Sequence, residues 1–211
     1  MNIAIPIFDR LTALDAVGPY EVLSRLPGAT VHFIAESTGP KRTETKMLAL
    51  IADRTFDELR EPEVIVVPGG YGTRALMEDE TMLGWLRHAH AHAEWTTSVC
   101  TGSLLLAAAG ILDGKEATSH WRALDTLSKH GAISVGDRRV VQQGTIMTAA
   151  GVSAGIDMAL TFAAEIAGEA VAQAIQLGIE YDPQPPFVGG STQTAPPEIV
   201  ELVTRNAAAL A

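Results

Sequence analysis

The chain has one cysteine, Cys100, and its neighbours are of types that could make it reactive. In the stretch "TSVCTGSLLLAAAG" (97–110), the strand-like run Thr96, Thr97, Ser98 and Val99 leads straight into Cys100. Gly102 comes two positions later, followed by a helix-forming run of Leu and Ala. A strand ending in x-Cys-x-Gly before a helix has the pattern of a nucleophile elbow, a tight turn that exposes its side chain. Gly102 would let that helix pass close to the strand. A sulfur at a helix N-terminus is expected to favour thiolate over thiol, with a pKa below the ordinary value of about 8.5. A lone cysteine otherwise reads as a small buried hydrophobe.

Two further segments could complete a site. "VVPGGYG" (66–72) ends a strand in Pro-Gly-Gly, where backbone N–H groups stand without side chains in the way. Gly70 and Thr101 are the expected N–H donors to a developing negative charge. Asp15, in "LDAVGPYEVL" (14–23), falls after the first strand, where open α/β sheets gather their sites. By spacing alone Asp15 reads equally well as an N-cap or Asx turn ahead of a helix opened by Gly18-Pro19. Gly69, His120, Trp121 and Gly151 are candidates for the pocket wall. The tract "HAHAHA" (88–93) suggests a metal, but on a helix only His88 and His92 share a face. The nearest acid in sequence is Glu94, so a solvated helix face and no metal are expected. No histidine adjoins Cys100.

These residues must be held by the elements around them. Short β-branched runs alternate with helical ones, the pattern of an α/β fold with a largely parallel sheet. Strands are expected at 2–8, 30–37, 63–67 and 95–100, with an extended segment or hairpin at 48–56. Pro6 suggests an edge or irregular position for the first strand. Further strands are expected at 115–120 and 139–151, the latter broken by a turn at Gln143-Gly144. Helices are expected at 20–26, around Leu83, Leu86 and Ala89 or His90, and at 102–110, 152–168, 169–181 and 198–210. Residues 182–197 read as loop. With no internal repeat or low-complexity tract, residues 1–211 are expected to form one domain.

Composition narrows the function. The chain is 47% hydrophobic and only 19% charged, enough to build a sizeable core. Fifteen Lys and Arg stand against 25 Asp and Glu, a formal charge of −10. That balance speaks against a nucleic-acid surface and against docking on anionic membranes. No apolar run reaches the roughly 20 residues that span a bilayer. "MNIAIPIFDR" lacks a secretory signal's basic region, and one cysteine suits a reducing cytoplasm.

Five stretches together resemble the ThiJ/PfpI superfamily, relatives of class I glutamine amidotransferases, from end to end. They are "LDAVGPYEVL" (14–23), "VVPGGYG" (66–72), "SVCTGSLLLAAAGILDGKEATSHW" (98–121), "AAGVSAGIDMAL" (149–160) and "IEYDPQPPF" (179–187). The first four are shared with the amidotransferase-like domain of AraC-type regulators, and the fifth looks like the isonitrile (isocyanide) hydratase branch. Protease and glyoxalase members usually carry Glu at the Asp15 position and often His after the cysteine, where this sequence has Asp15 and Thr101.

The resemblance implies a flavodoxin-like three-layer α/β sandwich, a homodimer, and no metal or organic cofactor. It implies Cys100 as nucleophile, Asp15 as its acid/base partner and Thr101 as the neighbour that positions the thiol. The implied reaction is hydration of a small isonitrile to an N-substituted formamide through a thioimidate. An apolar, water-poor pocket and an Asp15 pKa raised by the nearby thiolate would suit it. Two other classes compete. One is the ligand- or oxidation-sensing half of an AraC-type regulator, for whose helix-turn-helix region of roughly one hundred residues a chain ending at Ala211 leaves no room. The other is a cysteine amidase or peptidase using a distant histidine such as His120.

Overall fold

The computed structural model describes residues 1–207, which form two compact units, Met1–Ile179 and a second beginning at Glu180. In the first unit, strands of Ile, Val and Ala alternate with helices. These are β1 (Asn2–Pro6), α1 (Ala13–Leu23), β2 (Thr30–Ala35), β3 (Gly39–Arg42), β4 (Ala49–Ala52), β5 (Arg54–Thr55) and β6 (Val64–Val67). Next come α2 (Thr73–Leu76), α3 (Glu80–His92), β7 (Trp95–Val99), α4 (Gly102–Ala108), β8 (Glu116–Ala117), α5 (Leu124–Lys129) and β9 (Ile133–Ser134). The unit closes with β10 (Val140–Gln143), β11 (Ile146–Ala149), α6 (Ala154–Ala167) and α7 (Glu169–Gly178).

The main sheet has the order β10-β11-β7-β6-β1-β2-β5. All its pairings are parallel except β10 with β11, an antiparallel hairpin turned at Gly144, where φ is +60°. Strand order leaves β1 in both directions, through α1 to β2 and across to β6 and then through α3 to β7. Right-handed crossovers running opposite ways put α1 and α3 on opposite faces, giving three layers. Helices α1, α6 and α7 pack together, as do α3, α4 and α5. The reversal of strand order beside β1 is where an open α/β sheet leaves a crevice at its C-terminal edge.

Burial follows from position. Strand β6 is buried along its whole length, as an interior parallel strand should be. Helix α4 has Leu104, Leu105 and Leu106 all buried, because it lies between β6 and β7 on one side and α2, α3 and α5 on the other. Each such leucine contributes about 1.5–3 kcal/mol of burial.

Several sequence expectations shift. Pro6 does not mark an edge: β1 lies between β6 and β2, and Pro6 is its last residue, past the point where pairing to β6 ends at Ala4. Helix α1 starts at Ala13 rather than at Gly18-Pro19, with Thr12 extended as its N-cap residue and Pro19 inside. The extended segment at 48–56 divides into β4, paired with β3, and β5, which joins the main sheet beside β2. Residues 115–120 supply only the two-residue β8, which pairs with β9. Gly168, with φ of +88°, separates α6 from α7. In the second unit, α8 (Pro197–Ala207) is the expected C-terminal helix, and residues 208–210 of that expectation lie outside the described residues.

Candidate active site

Cys100 sits one residue past the end of β7 with φ of +56°, a left-handed conformation that costs a non-glycine residue about 1–2 kcal/mol. Its backbone is held from both sides. The N–H donates to Ala149 O at 3.1 Å and Ala150 O at 3.0 Å. The carbonyl accepts from Ser103 Oγ at 3.1 Å and Ser119 Oγ at 2.9 Å. The elbow also needs Gly102: a Cβ there would lie 2.0 Å from Val67 O, so only glycine lets α4 start this close to β6.

Asp15 lies in the first turn of α1 and is fully buried. It is not the N-cap. Its Oδ2 accepts the Gly69 N–H at 3.0 Å, while Oδ1 is buried without a hydrogen-bond partner. The carboxyl also lies near enough to the Cys100 thiol for each group to shift the other's proton affinity. Burial raises the Asp15 pKa from 3.8 to about 7. The Gly69 N–H and the thiol pull it down, and the charge of Glu44 adds a smaller upward push. The upward direction matches expectation, but its main cause is desolvation rather than a neighbouring thiolate.

The expected acidic thiol is not what this geometry produces. Cys100 is 5% exposed, and burial followed by the charge of Asp15 pushes its pKa above the ordinary value. Backbone hydrogen bonds from Val152 and Thr101 oppose this by stabilising the thiolate. Helix α4 is short, and its start does not outweigh desolvation. Both groups of the buried pair therefore hold a proton more tightly than they would in water.

The Thr101 N–H is placed on the sulfur as expected, but that of Gly70 is not. The Gly70 N–H donates to Thr101 Oγ1 at 2.9 Å, so it is already engaged and does not face the sulfur. Thr101 Oγ1 also approaches Gly70 O at 3.2 Å, tying the turn after β6 to the turn after β7. Gly69 is needed where these meet: a Cβ would stand 2.5 Å from Thr101 N and 2.8 Å from Asp15 Oδ2. The second donor to the sulfur is Val152, which sequence reasoning missed. Its φ of +39° is an outlier for a β-branched residue. Its only sequence cue was its place just after Gly151.

A cleft of about 130 Å³ reaches Cys100, lined by Thr12, Glu44, Arg74, His120, Arg122 and Val152 among others. Its wall mixes apolar surface with the charged side chains of Glu44, Arg74 and Arg122, so it is not the wholly apolar pocket expected. His120 is at the wall, and Gly151 packs under its ring, where a Cβ would be 2.8 Å from Cδ2. Trp121 stands beside His120 with ring centroids 5.6 Å apart and does not line the cleft. Burial, then the charges of Arg122 and Arg74, lower the His120 pKa to about 4, which keeps it neutral. Arg74, Arg122 and Glu44 were missed because α2, the turn after β8 and the β3–β4 turn bring them together only in the folded chain, and nothing local marks them.

Residues 1–165 match the sequence profile of the DJ-1/PfpI family. The chain belongs to this family. Among relatives, it is 46% identical over 208 residues to isonitrile hydratase of Pseudomonas putida, covering 99% of this chain and 90% of that one. It is 27% identical over 157 residues to the HTH-type transcriptional regulator CdhR of Pseudomonas aeruginosa, covering 73% of this chain and 46% of the regulator. A ThiJ/PfpI family protein from Pseudomonas syringae superposes with a TM-score of 0.94 at 38% identity, over 99% of this chain and 86% of that one. Drosophila melanogaster DJ-1beta shares the fold, with a TM-score of 0.77 at 21% identity over 85% of this chain and 97% of its own. In this family fold, the elbow cysteine lies at the C-terminal edge of a mostly parallel sheet flanked by helices. No helix among the described residues is long and apolar enough to cross a membrane.

Proposed function

We propose that the protein hydrates an isonitrile, R–N≡C, to the N-substituted formamide, with Cys100 as nucleophile and Asp15 as proton carrier. The observation that carries this reading is the buried Asp15–Cys100 pair, in a chain 46% identical to an isonitrile hydratase over nearly its whole length. Asp15 takes the thiol proton as sulfur attacks the electrophilic isonitrile carbon. The carbon–sulfur bond forms, and Asp15 returns the same proton to that carbon, giving the thioimidate R–N=CH–S. Water then adds to the carbon while Asp15 accepts its proton and passes it to nitrogen. As the carbon–sulfur bond breaks, Asp15 takes the hydroxyl proton and sulfur leaves as thiolate. The formamide departs with the pair again holding one proton. The Thr101 and Val152 N–H groups support sulfur whenever it carries charge.

The amidase reading needs an imidazole that accepts the thiol proton, and a His120 pKa near 4 makes it a poor base at neutral pH. The hydratase reading is tested with cyclohexyl isocyanide. One formamide should appear per isonitrile consumed, and acid quenching should trap an adduct on Cys100 heavier by the mass of the isonitrile. Cys100→Ala should melt like the parent and release none. Formamide release by that variant, or none by the parent, overturns the reading.

A further inference from the structure

The face of α3 that carries His88 and His92 gains a third group in the folded chain. Glu61, from the connection ahead of β6, places Oε1 3.2 Å from His88 Nε2 and 3.8 Å from His92 Nε2. One ligand atom from each of the three residues lies within 4.8 Å of the others, and no other such cluster occurs among the described residues. Zinc bonds of about 2.0–2.1 Å in a tetrahedron require neighbouring ligand atoms about 3.3–3.4 Å apart, so the two carboxylate-to-imidazole spacings already bracket the requirement. The imidazole of His92 is also oriented for the task. Its Nδ1 lies 2.8 Å from His88 O, and because a carbonyl only accepts, Nδ1 carries the proton and Nε2 keeps its lone pair. This is the second-shell arrangement that fixes the tautomer of metal-binding histidines.

We infer that Glu61, His88 and His92 form a binding site for a zinc ion, with water completing the tetrahedron on the solvent side. Two imidazoles and one carboxylate are ligands that zinc accepts. On binding, His88 changes tautomer: Nε2 releases the proton it directs at Glu61, Nδ1 gains one from solvent, and the freed Nε2 lone pair takes the metal. The site lies at the N-terminal ends of β6 and β7, whereas Cys100 lies at the C-terminal end of β7. The length of β7 alone separates them by about 16 Å. The ion therefore acts as a staple between α3 and the chain ahead of β6, not as a participant at the cysteine. The solvated helix face expected from sequence omitted Glu61, which is 27 residues from His88.

The test is calorimetric titration of the metal-free full chain with zinc chloride, paired with thermal melting. The parent should bind one zinc and melt higher as zinc is added, because the ion binds only the folded arrangement. His88→Ala, His92→Ala and Glu61→Gln should each weaken binding at least about tenfold and lose the zinc-dependent rise. Their melting in chelator should match the parent, which separates a lost ligand from a damaged fold. Cys100→Ser should bind like the parent. Absence of one-to-one binding, unchanged binding in both histidine variants, or loss only in Cys100→Ser overturns the inference.

Discussion

Asp15→Asn separates the proton-carrying role of Asp15 from its part in packing. Asparagine keeps the shape and can still accept the Gly69 N–H now held at 3.0 Å, but it cannot exchange a proton. Turnover should fall by about 10² to 10⁴, the usual worth of general acid–base catalysis. Stability should move the other way. Burial that shifts a carboxyl from 3.8 to about 7 makes its ionised form costlier by about 4 kcal/mol, at about 1.36 kcal/mol per pH unit. Between those two values the folded chain holds a proton that the unfolded chain has released. Stability therefore falls as pH rises through this window, and the loss is complete above about 7. The variant carries no such penalty, so relative to the parent it should gain up to about 4 kcal/mol between pH 4 and pH 8. For a chain of this size that is a Tm difference of roughly 10 °C. Melting curves at both pH values, beside formamide-release rates, are the assay. The parent rate should itself rise with pH through about 7, as Asp15 becomes the carboxylate that can take the thiol proton. Near-parental turnover would refute the proton-carrier role. A variant that loses stability equally at pH 4 and pH 8 would refute the buried, elevated carboxyl.

Two other substitutions probe the frame around the pair. Thr101→Val keeps the backbone N–H on the sulfur but strands the buried Gly70 N–H, which should cost about 1–3 kcal/mol and part of the rate. Complete inactivation with an unchanged melting curve would instead give the hydroxyl a proton-transfer role. Gly69→Ala drives a Cβ to 2.5 Å from Thr101 N and 2.8 Å from Asp15 Oδ2, so it should lower Tm and abolish turnover together. Unlike Asp15→Asn it should bring no stability gain at pH 8, and an active, stable variant would contradict the close approach.

Much of the frame was legible because it obeys local rules. The strand-Cys-x-Gly-helix pattern specifies an elbow through backbone geometry, and Gly102 is required by a carbonyl 2.0 Å from where its Cβ would be. The alternation of β-branched and helical runs specified a parallel sheet with helices between its strands. The turn at Gln143-Gly144 and the break after Ala167 were likewise marked by residues that tolerate positive φ. The start of α1 was misread because Gly18 and Pro19 look like a helix opening. The close contact of Gly18 with Ile156 instead uses the glycine for helix packing.

What only the tertiary structure decided concerns groups that meet through space. Whether the Gly70 N–H faces the sulfur depends on a hydroxyl 31 residues away, and Val152 reaches the thiol from the connection after β11. Charged groups enter the cleft wall because Glu44, Arg74 and Arg122 converge on it from three separate parts of the chain. Glu61 joins His88 and His92 for the same reason. Proton affinities at the pair follow suit: an aspartate and a cysteine have ordinary values in the unfolded chain, and loss of water around both changes them. Backbone conformation is written locally in residue type, but desolvation and charge proximity exist only once distant segments have packed together.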